Sequence, residues 1–233
     1  MQERHRPDET IGDYVGHGRR NVVSKRDVFV SPRASIDGIS GHTTRRIALA
    51  FRAPKNYIGA RKLFDEEETY RKLQSAGIPV AHATYRLDPS EHAVYCTELT
   101  QGGKYFVFSD TNHTSQDREW QASIGAEAAP APNALEALDA LTSIALQCTK
   151  IDAELMLADA FYFIIDKKTR VIRVTIGDYK HVVEAQTDAD LVLKNNLAVA
   201  RQAAHARPEI FGLTHEEIDR WFDQKECEIT AFR

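Results

Sequence analysis

The chain has 233 residues, of which 42% are hydrophobic and 27% are charged, and its formal net charge is −4. This length is enough to bury a substantial core, and the composition is ordinary for a globular protein. The charge balance gives no reason to expect a nucleic-acid partner, and the absence of an apolar run of about 18 residues predicts no membrane span.

The polar N-terminal segment, residues 1–20, shows no apolar period and is expected to form a flexible arm. The first β-like run is "VVSKRDVFVSP" at 22–32, and the Gly- and Ser-rich segment 35–44 is typical of a turn. In "RRIALAF", at 45–51, large apolar residues alternate with alanines, and this alternation predicts a second strand.

A helix is predicted over 60–77, because large apolar residues recur there at helical spacing. Gly77 and Pro79 then provide a stop signal. The runs at 80–87 and 92–99 predict two strands that are joined by the turn sequence "DPSE".

The polar segment 109–133 is typical of a loop, and the strongly amphipathic run at 134–151 predicts a helix with Asn133 as its N-cap. The stretch "FYFIIDKKTRVIRVTI", at 161–176, predicts a β-hairpin closed by "KKT".

Two further helices are predicted near the C-terminus, at 188–206 and 214–230. The second has the Thr-x-x-Glu pattern of a capping box, formed by Thr214 and Glu217. No internal repeat is visible.

This order of elements predicts an α+β fold rather than an alternating doubly wound one. We expect a flexible arm at 1–20, a β-rich N-terminal lobe with one helix at 21–100, and a helical C-terminal lobe with a β-hairpin at 101–233. A cleft between two such lobes is a natural place for a ligand.

The three cysteines, Cys96, Cys148 and Cys227, are odd in number and widely spaced, which argues against a disulfide framework or a structural zinc site and fits a reducing compartment. Cys96 and Cys148 fall on predicted core elements. We therefore interpret these two as buried structural residues rather than nucleophiles.

The order of elements over roughly residues 25–200 resembles the two-lobed protein-kinase-like fold, especially the aminoglycoside-phosphotransferase-like and minimal bacterial effector kinases. The resemblance rests on element order more than on invariant motifs. It implies an ATP-dependent phosphotransferase that acts on a hydroxyl of a protein or small molecule, with the nucleotide and Mg²⁺ held in the interlobe cleft.

The segment "VYCTELTQGG" resembles the strand and linker that bind adenine in this family. On that resemblance Thr97 is the gatekeeper, Glu98 and Thr100 offer backbone groups to the adenine edge, and Leu99 covers the ring. The alternative is a plain strand that ends at Gly-Gly.

The strand "IALAFR" resembles the one that carries the family's phosphate-binding lysine, but Arg52 stands at that position. Lys55 is the alternative cation. On the following helix, Glu66 falls where the family's ion-pairing glutamate orients that cation, and Glu68 is less well placed. Acidic residues at a helix N-terminus also have a simpler explanation in the helix dipole.

Asp178 ends the predicted hairpin and resembles the family's Mg²⁺-binding aspartate, although the motif is Asp-Tyr-Lys rather than Asp-Phe-Gly. Asp159 lies nineteen residues upstream, a separation similar to that of the family's catalytic base, and Asp152 is a second candidate. Residues 161–164, where the family has a metal-binding asparagine, offer no metal ligand.

These departures leave two other functions open. One is a pseudokinase-like regulatory or protein-binding module that does not transfer phosphate, and the other is a two-lobed binding protein unrelated to nucleotides. The polar N-terminus lacks a secretory signal. The expected location is therefore cytoplasmic, or a host cell if the protein is an exported effector.

Overall fold

In the computed structural model of the chain, the backbone is described for more residues than the side chains are. The backbone is described at 14–17, 21–30, 45–54, 57–81, 83–86, 93–96, 105–109, 120 and 131–231. Side chains are described at 66–81, 105–109, 120 and 131–231. The fold is α+β, as the order of predicted elements indicates.

The chain consists of two compact units. The first comprises residues 1–68 and 81–103, and the second comprises 69–80 and 104–233.

The first unit contains a five-stranded antiparallel sheet in the order β1-β2-β3-β5-β4. Its strands are β1 (Tyr14–His17), β2 (Asn21–Val30), β3 (Arg45–Pro54), β4 (Ala83–Arg86) and β5 (Ala93–Cys96). The predicted strands are present here, and β1 lies within the segment expected to be an arm. The two longest strands, β2 and β3, pair along ten residues each.

Helix α1 (Tyr57–Ser75) follows β3 and matches the predicted helix with a shift toward the N-terminus. It ends as the sequence indicates: Gly77 has a φ of 73°, a left-handed conformation that suits glycine. The amide of Ile78 then donates to the carbonyl of Leu73 at 3.1 Å. This cap turns the chain toward Pro79, whose carbonyl accepts the amide of Ile176 at 2.9 Å within the second unit.

The second unit contains a three-stranded antiparallel sheet in the order β6-β8-β9. The hairpin β8 (Phe161–Asp166) and β9 (Ile172–Ile176) was predicted, whereas β6 (Tyr105–Phe108) was not. The rings of Phe106 and Phe108 both contact the buried Trp120 at centroid distances of 5.4 and 5.8 Å. Because such aromatic runs favour strands that bury one face, "KYFVF" carried a usable signal for β6.

The turn of the hairpin depends on Asp166 and Arg170. The Oδ1 atom of Asp166 accepts the amides of Lys168 and Thr169 at 2.9 and 2.8 Å, which is an Asx-type turn. Arg170 closes the turn in a left-handed conformation, with a φ of 63°. The turn fixes the register in which Phe161 lies opposite Ile176.

A two-stranded ribbon, β7 (Ala153–Leu155) with β10 (Val182–Glu184), lies against helices α2 (Ala134–Lys150) and α3 (Ala189–Ala206). The fully buried Asn196 of α3 caps the free side of β7. Its Oδ1 accepts the amide of Leu155 at 2.7 Å, and its Nδ2 donates to the carbonyl of Ala153 at 2.9 Å. One side chain thus replaces a neighbouring strand on that side of the ribbon.

Asn133 is the N-cap residue of α2, as predicted, and the helix begins where it was expected. The side chain of Asn133 makes no cap hydrogen bond. Instead its Nδ2 donates to the carbonyl of Ile172 at 2.7 Å and its Oδ1 accepts the amide of Ile172 at 2.9 Å. This paired interaction with the edge strand β9 satisfies both ends of the amide and outcompetes the local cap.

The C-terminal helices are α3, α4 (Pro208–Phe211) and α5 (His215–Ala231). The predicted capping box is confirmed: the amide of Thr214 donates to Glu217 Oε2 at 2.8 Å, and the amide of Glu217 donates to Thr214 Oγ1 at 3.2 Å. Among the described helices, none is both long and apolar enough to cross a lipid bilayer.

Candidate metal centre

Asp159 lies in a short 3-10 turn, Ala158–Ala160, between the ribbon strand β7 and the hairpin strand β8. The alanines on either side of it are buried, whereas the side chain of Asp159 is 18% exposed. The turn is therefore anchored on both sides of Asp159, and its carboxylate remains accessible to a ligand.

Asp178 follows β9 directly and is attached to the same turn through the backbone. The carbonyl of Ala160 accepts the amides of Gly177 and Asp178 at 2.9 and 3.3 Å. Because Ala160 is the residue after Asp159, these two bonds bring together carboxylates that are nineteen residues apart in the sequence.

The close approach of these segments requires glycine at position 177. A Cβ atom there would lie 2.2 Å from the Cγ and Cδ2 atoms of Tyr162. No real contact is that short, so the aromatic ring packs directly on the backbone of Gly177. The ring holds the residue before Asp178 in place.

His181 joins the two aspartates. A second 3-10 turn, Tyr179–His181, follows Asp178, and the amide of His181 donates to the carbonyl of Asp178 at 3.2 Å. His181 Nε2 lies 3.7 Å from Asp159 Oδ2 and 3.8 Å from Asp178 Oδ2. One ligand atom from each of the three residues lies within 4.8 Å of the other two, so the group has the dimensions of a metal centre.

The carboxylate of Asp178 is the most buried of the three side chains. Its Oδ2 atom forms an ion pair with Nζ of Lys180. Its Oδ1 atom is buried, and none of the residues that the structure describes donates a hydrogen bond to it. A buried carboxylate oxygen without a partner is costly, and a cation would compensate for that cost. The residues present therefore fit a divalent metal ion.

Asp152, the second candidate for the base, lies apart from this group. It is exposed, has a φ of 52°, and its carbonyl accepts the amide of Ala185 at 2.9 Å at the end of the ribbon. The cluster of possible metal ligands contains Asp159 and not Asp152. The geometry thus favours Asp159 over Asp152 as a residue of the candidate site.

The predicted residues of the N-terminal lobe are described only in part. Arg52 lies in β3, paired with Val23 on one side and Val94 on the other, and its side chain is outside the described residues. Glu66 lies in α1 with its side chain buried. The predicted nucleotide-binding residues Lys55, Thr97, Glu98 and Thr100 also lie outside the described residues.

The segment 161–164 forms the first part of β8, and Phe161, Phe163 and Ile164 are buried in it. As the sequence indicates, these side chains contribute packing and not metal ligands. His181 is the member of this group that the sequence interpretation missed. Its signal was the spacing in "DYKH", since residues three apart in a helical turn lie on one side.

Cys148 is a structural residue, as predicted. It is buried in α2, and burial raises the pKa of its thiol to about 12. A thiol that holds its proton so firmly is a poor nucleophile. In the described part of the second unit, the group of Asp159, Asp178 and His181 therefore remains as the cluster that could carry out chemistry.

No protein-family model matches the chain, and a search of curated protein sequences finds no match.

Proposed function

We propose that the protein is an ATP-dependent phosphotransferase of the protein-kinase-like class that acts on a hydroxyl group of a protein or a small molecule. The observation that carries this proposal is the convergence of Asp159 and Asp178, which the Ala160 carbonyl holds together. Two carboxylates, one of them with a buried oxygen that lacks a donor among the described residues, suit the binding of a metal–nucleotide complex.

The order of elements also supports the proposal. An antiparallel sheet with a helix after its third strand precedes a helix, a loop with Asp159, a hairpin and Asp178. This is the order that the kinase-like resemblance implies. In such a protein, Arg52 or Lys55 would contact phosphate oxygens and Glu66 would orient that cation. Residues 97–100 would bind the adenine.

Each aspartate of the cluster would have a defined task. Asp178 would hold the Mg²⁺ or a related divalent ion, whose contribution is to neutralise charge on the nucleotide phosphates. Asp159 would accept the proton of the acceptor hydroxyl while the oxygen of that hydroxyl forms a bond to the γ-phosphorus. The bond between that phosphorus and the β–γ bridging oxygen breaks, and ADP leaves with its electron pair.

The second candidate is a pseudokinase-like module that binds a nucleotide or a protein without transfer. Two observations favour it. Lys180 pairs with the carboxylate that would hold the metal, and the buried start of β8 supplies no second metal ligand. A lysine in that position can partly neutralise the carboxylate without any metal.

The two candidates are separated by one experiment. The wild-type protein is incubated with ATP labelled at the γ-phosphate, Mg²⁺ or Mn²⁺, and cell extract, beside Asp159→Asn, Asp178→Asn and the matched control Asp152→Asn. Asp152 suits this role because asparagine tolerates its positive φ. Label transfer by wild type and control, lost in both site variants, supports the enzyme.

Thermal unfolding with and without nucleotides completes the test. Stabilisation by a nucleotide without any transfer supports the pseudokinase-like module. No stabilisation by any nucleotide, together with no transfer, overturns the enzyme and the nucleotide-binding form of the module.

A further inference from the structure

We propose that His181 is a direct metal ligand and that, with Asp159 and Asp178, it makes the site selective for a first-row transition-metal ion such as Mn²⁺ over Mg²⁺. The inference concerns the same site as the proposed function and names its metal. It does not require that phosphate is transferred.

The distances fit one ion shared by three ligands. Metal–ligand bonds of about 2.0–2.2 Å place two ligands of the same ion roughly 3–4 Å apart. His181 Nε2 lies 3.7 Å from Asp159 Oδ2 and 3.8 Å from Asp178 Oδ2. The ligand atoms of all three residues lie within 4.8 Å of one another, so side-chain rotations that shorten the longer separations would bring them to a common ion.

The backbone fixes the three residues before any ion binds. The Ala160 carbonyl joins the two aspartate segments, and the amide of His181 donates to the carbonyl of Asp178. The carbonyl of His181 in turn accepts the amide of Met156 at 2.8 Å, which attaches His181 to the segment between β7 and Asp159. Because the ligands are held in place, little conformational entropy is lost when they bind a metal.

A second observation points to a cation independently of the distances. Asp178 is only 9% exposed, and its buried Oδ1 atom has no hydrogen-bond donor among the residues that the structure describes. The ammonium group of Lys180 contacts the other oxygen, Oδ2. An ion in the cluster would give Oδ1 the partner that it lacks if Asp178 bound the ion through both of its carboxylate oxygens.

The ligand chemistry determines which ion is preferred. Mg²⁺ takes oxygen ligands almost exclusively and keeps much of its water shell. Imidazole nitrogen suits Fe²⁺, Ni²⁺, Cu²⁺ and Zn²⁺ best, and Mn²⁺ accepts it more readily than Mg²⁺ does. Two carboxylates with one imidazole leave coordination positions open. A carboxylate has two oxygens, so Asp159 can bind the ion through one of them and accept a proton through the other.

The test uses the full chain without nucleotide. Binding of Mn²⁺ is measured by the loss of the free-ion signal in electron paramagnetic resonance, and Mg²⁺ is added as a competitor. We expect one tight Mn²⁺ site in the wild type, and an affinity of that site for Mg²⁺ that is at least about tenfold lower than its affinity for Mn²⁺. In His181→Ala the affinity for Mn²⁺ is expected to be at least about tenfold lower than in the wild type.

Two further variants and a spectroscopic measurement control for structure. His181→Gln keeps a polar side chain, and His215→Gln is the matched control, since His215 is exposed on α5 and outside the cluster. Circular dichroism confirms that each variant is folded. Pulsed electron paramagnetic resonance of bound Mn²⁺ is expected to show hyperfine coupling to a ligand nitrogen in the wild type and in His215→Gln. No such coupling is expected in His181→Gln.

Three outcomes overturn the inference: equal affinity for Mn²⁺ and Mg²⁺, unchanged Mn²⁺ binding in both His181 variants, or no nitrogen coupling in the wild type. All are read without ATP, so a failure of the proposed function appears separately, as metal binding without phosphate transfer or nucleotide stabilisation.

Discussion

Asn196 is expected to be the most sensitive polar residue of the second unit. Its side chain accepts the amide of Leu155 and donates to the carbonyl of Ala153, and Nδ2 also lies 3.1 Å from Thr149 Oγ1. The residue is fully buried, and two of its partners, Ala153 and Leu155, lie on β7, directly before the loop that carries Asp159.

The magnitude for Asn196→Ala follows from the groups left behind. Each typical hydrogen bond contributes about 0.5–1.5 kcal/mol, and each buried group left without a partner costs about 1–3 kcal/mol. The Leu155 amide and the Ala153 carbonyl both lose their partner, so we expect the free energy of unfolding to fall by about 3–5 kcal/mol. That is a large fraction of the roughly 5–15 kcal/mol that stabilises an ordinary domain.

The assay is urea unfolding followed by tryptophan fluorescence. Both tryptophans, Trp120 and Trp221, belong to the second unit, so their emission reports on the unit that contains Asn196. The matched control is Asn195→Ala, because the neighbouring Asn195 makes one partly buried bond, from Nδ2 to Glu154 Oε1 at 2.8 Å. The control is expected to lose about 1 kcal/mol or less.

Two results would refute this reasoning. One is a loss below about 1 kcal/mol for Asn196→Ala, which would mean that water or a shift of β7 satisfies the freed groups. The other is an equal loss in both variants, which would mean that the ribbon does not depend on Asn196 in particular.

Three other predictions concern the site and the capping box. Gly177→Ala forces its new methyl group against the Tyr162 ring and should lower the free energy of unfolding by about 1–3 kcal/mol. Most of this loss should be recovered when Tyr162→Ala is added. Urea unfolding of both single variants and the double variant measures the recovery, and its absence would contradict the contact. Lys180→Met removes a competing cation from the metal centre and should tighten Mn²⁺ binding in a calorimetric titration, whereas weaker binding would show that the lysine assists the ion. The pKa of Glu217 is lowered, mainly by the hydrogen bond from the backbone amide of Thr214, so its stabilising effect is complete above the unfolded value near 4.5 and is lost as the pH falls through the lower folded value. Melting temperatures of wild type and Glu217→Gln should therefore differ at pH 6 and converge at low pH; a constant difference would exclude the linkage.

Local patterns in the sequence predicted most of the secondary structure. Helices α2, α3 and α5 begin and end close to the predicted positions, because helical periodicity and capping residues act within a few neighbours along the chain. The hairpin β8–β9 was predicted for the same reason, since its strands are apolar and its turn is short. The structure brings Asp159 and Asp178 together, and the sequence pointed to this pair only by resemblance to a family pattern, so their roles stay predictions.

The sequence by itself determined which segments become helices and strands and which carboxylates stand at strand ends and loops. Only the tertiary structure decided that the side chain of Asn133 binds β9 rather than the first turn of α2, that Asn196 completes the ribbon, and that His181 lies beside Asp159 and Asp178. The physical reason is distance along the chain: Asn133 and Ile172 are separated by 39 residues, and Asn196 and Leu155 by 41. Such contacts form because buried polar groups must find partners wherever the packed core brings them, and no local pattern records that choice.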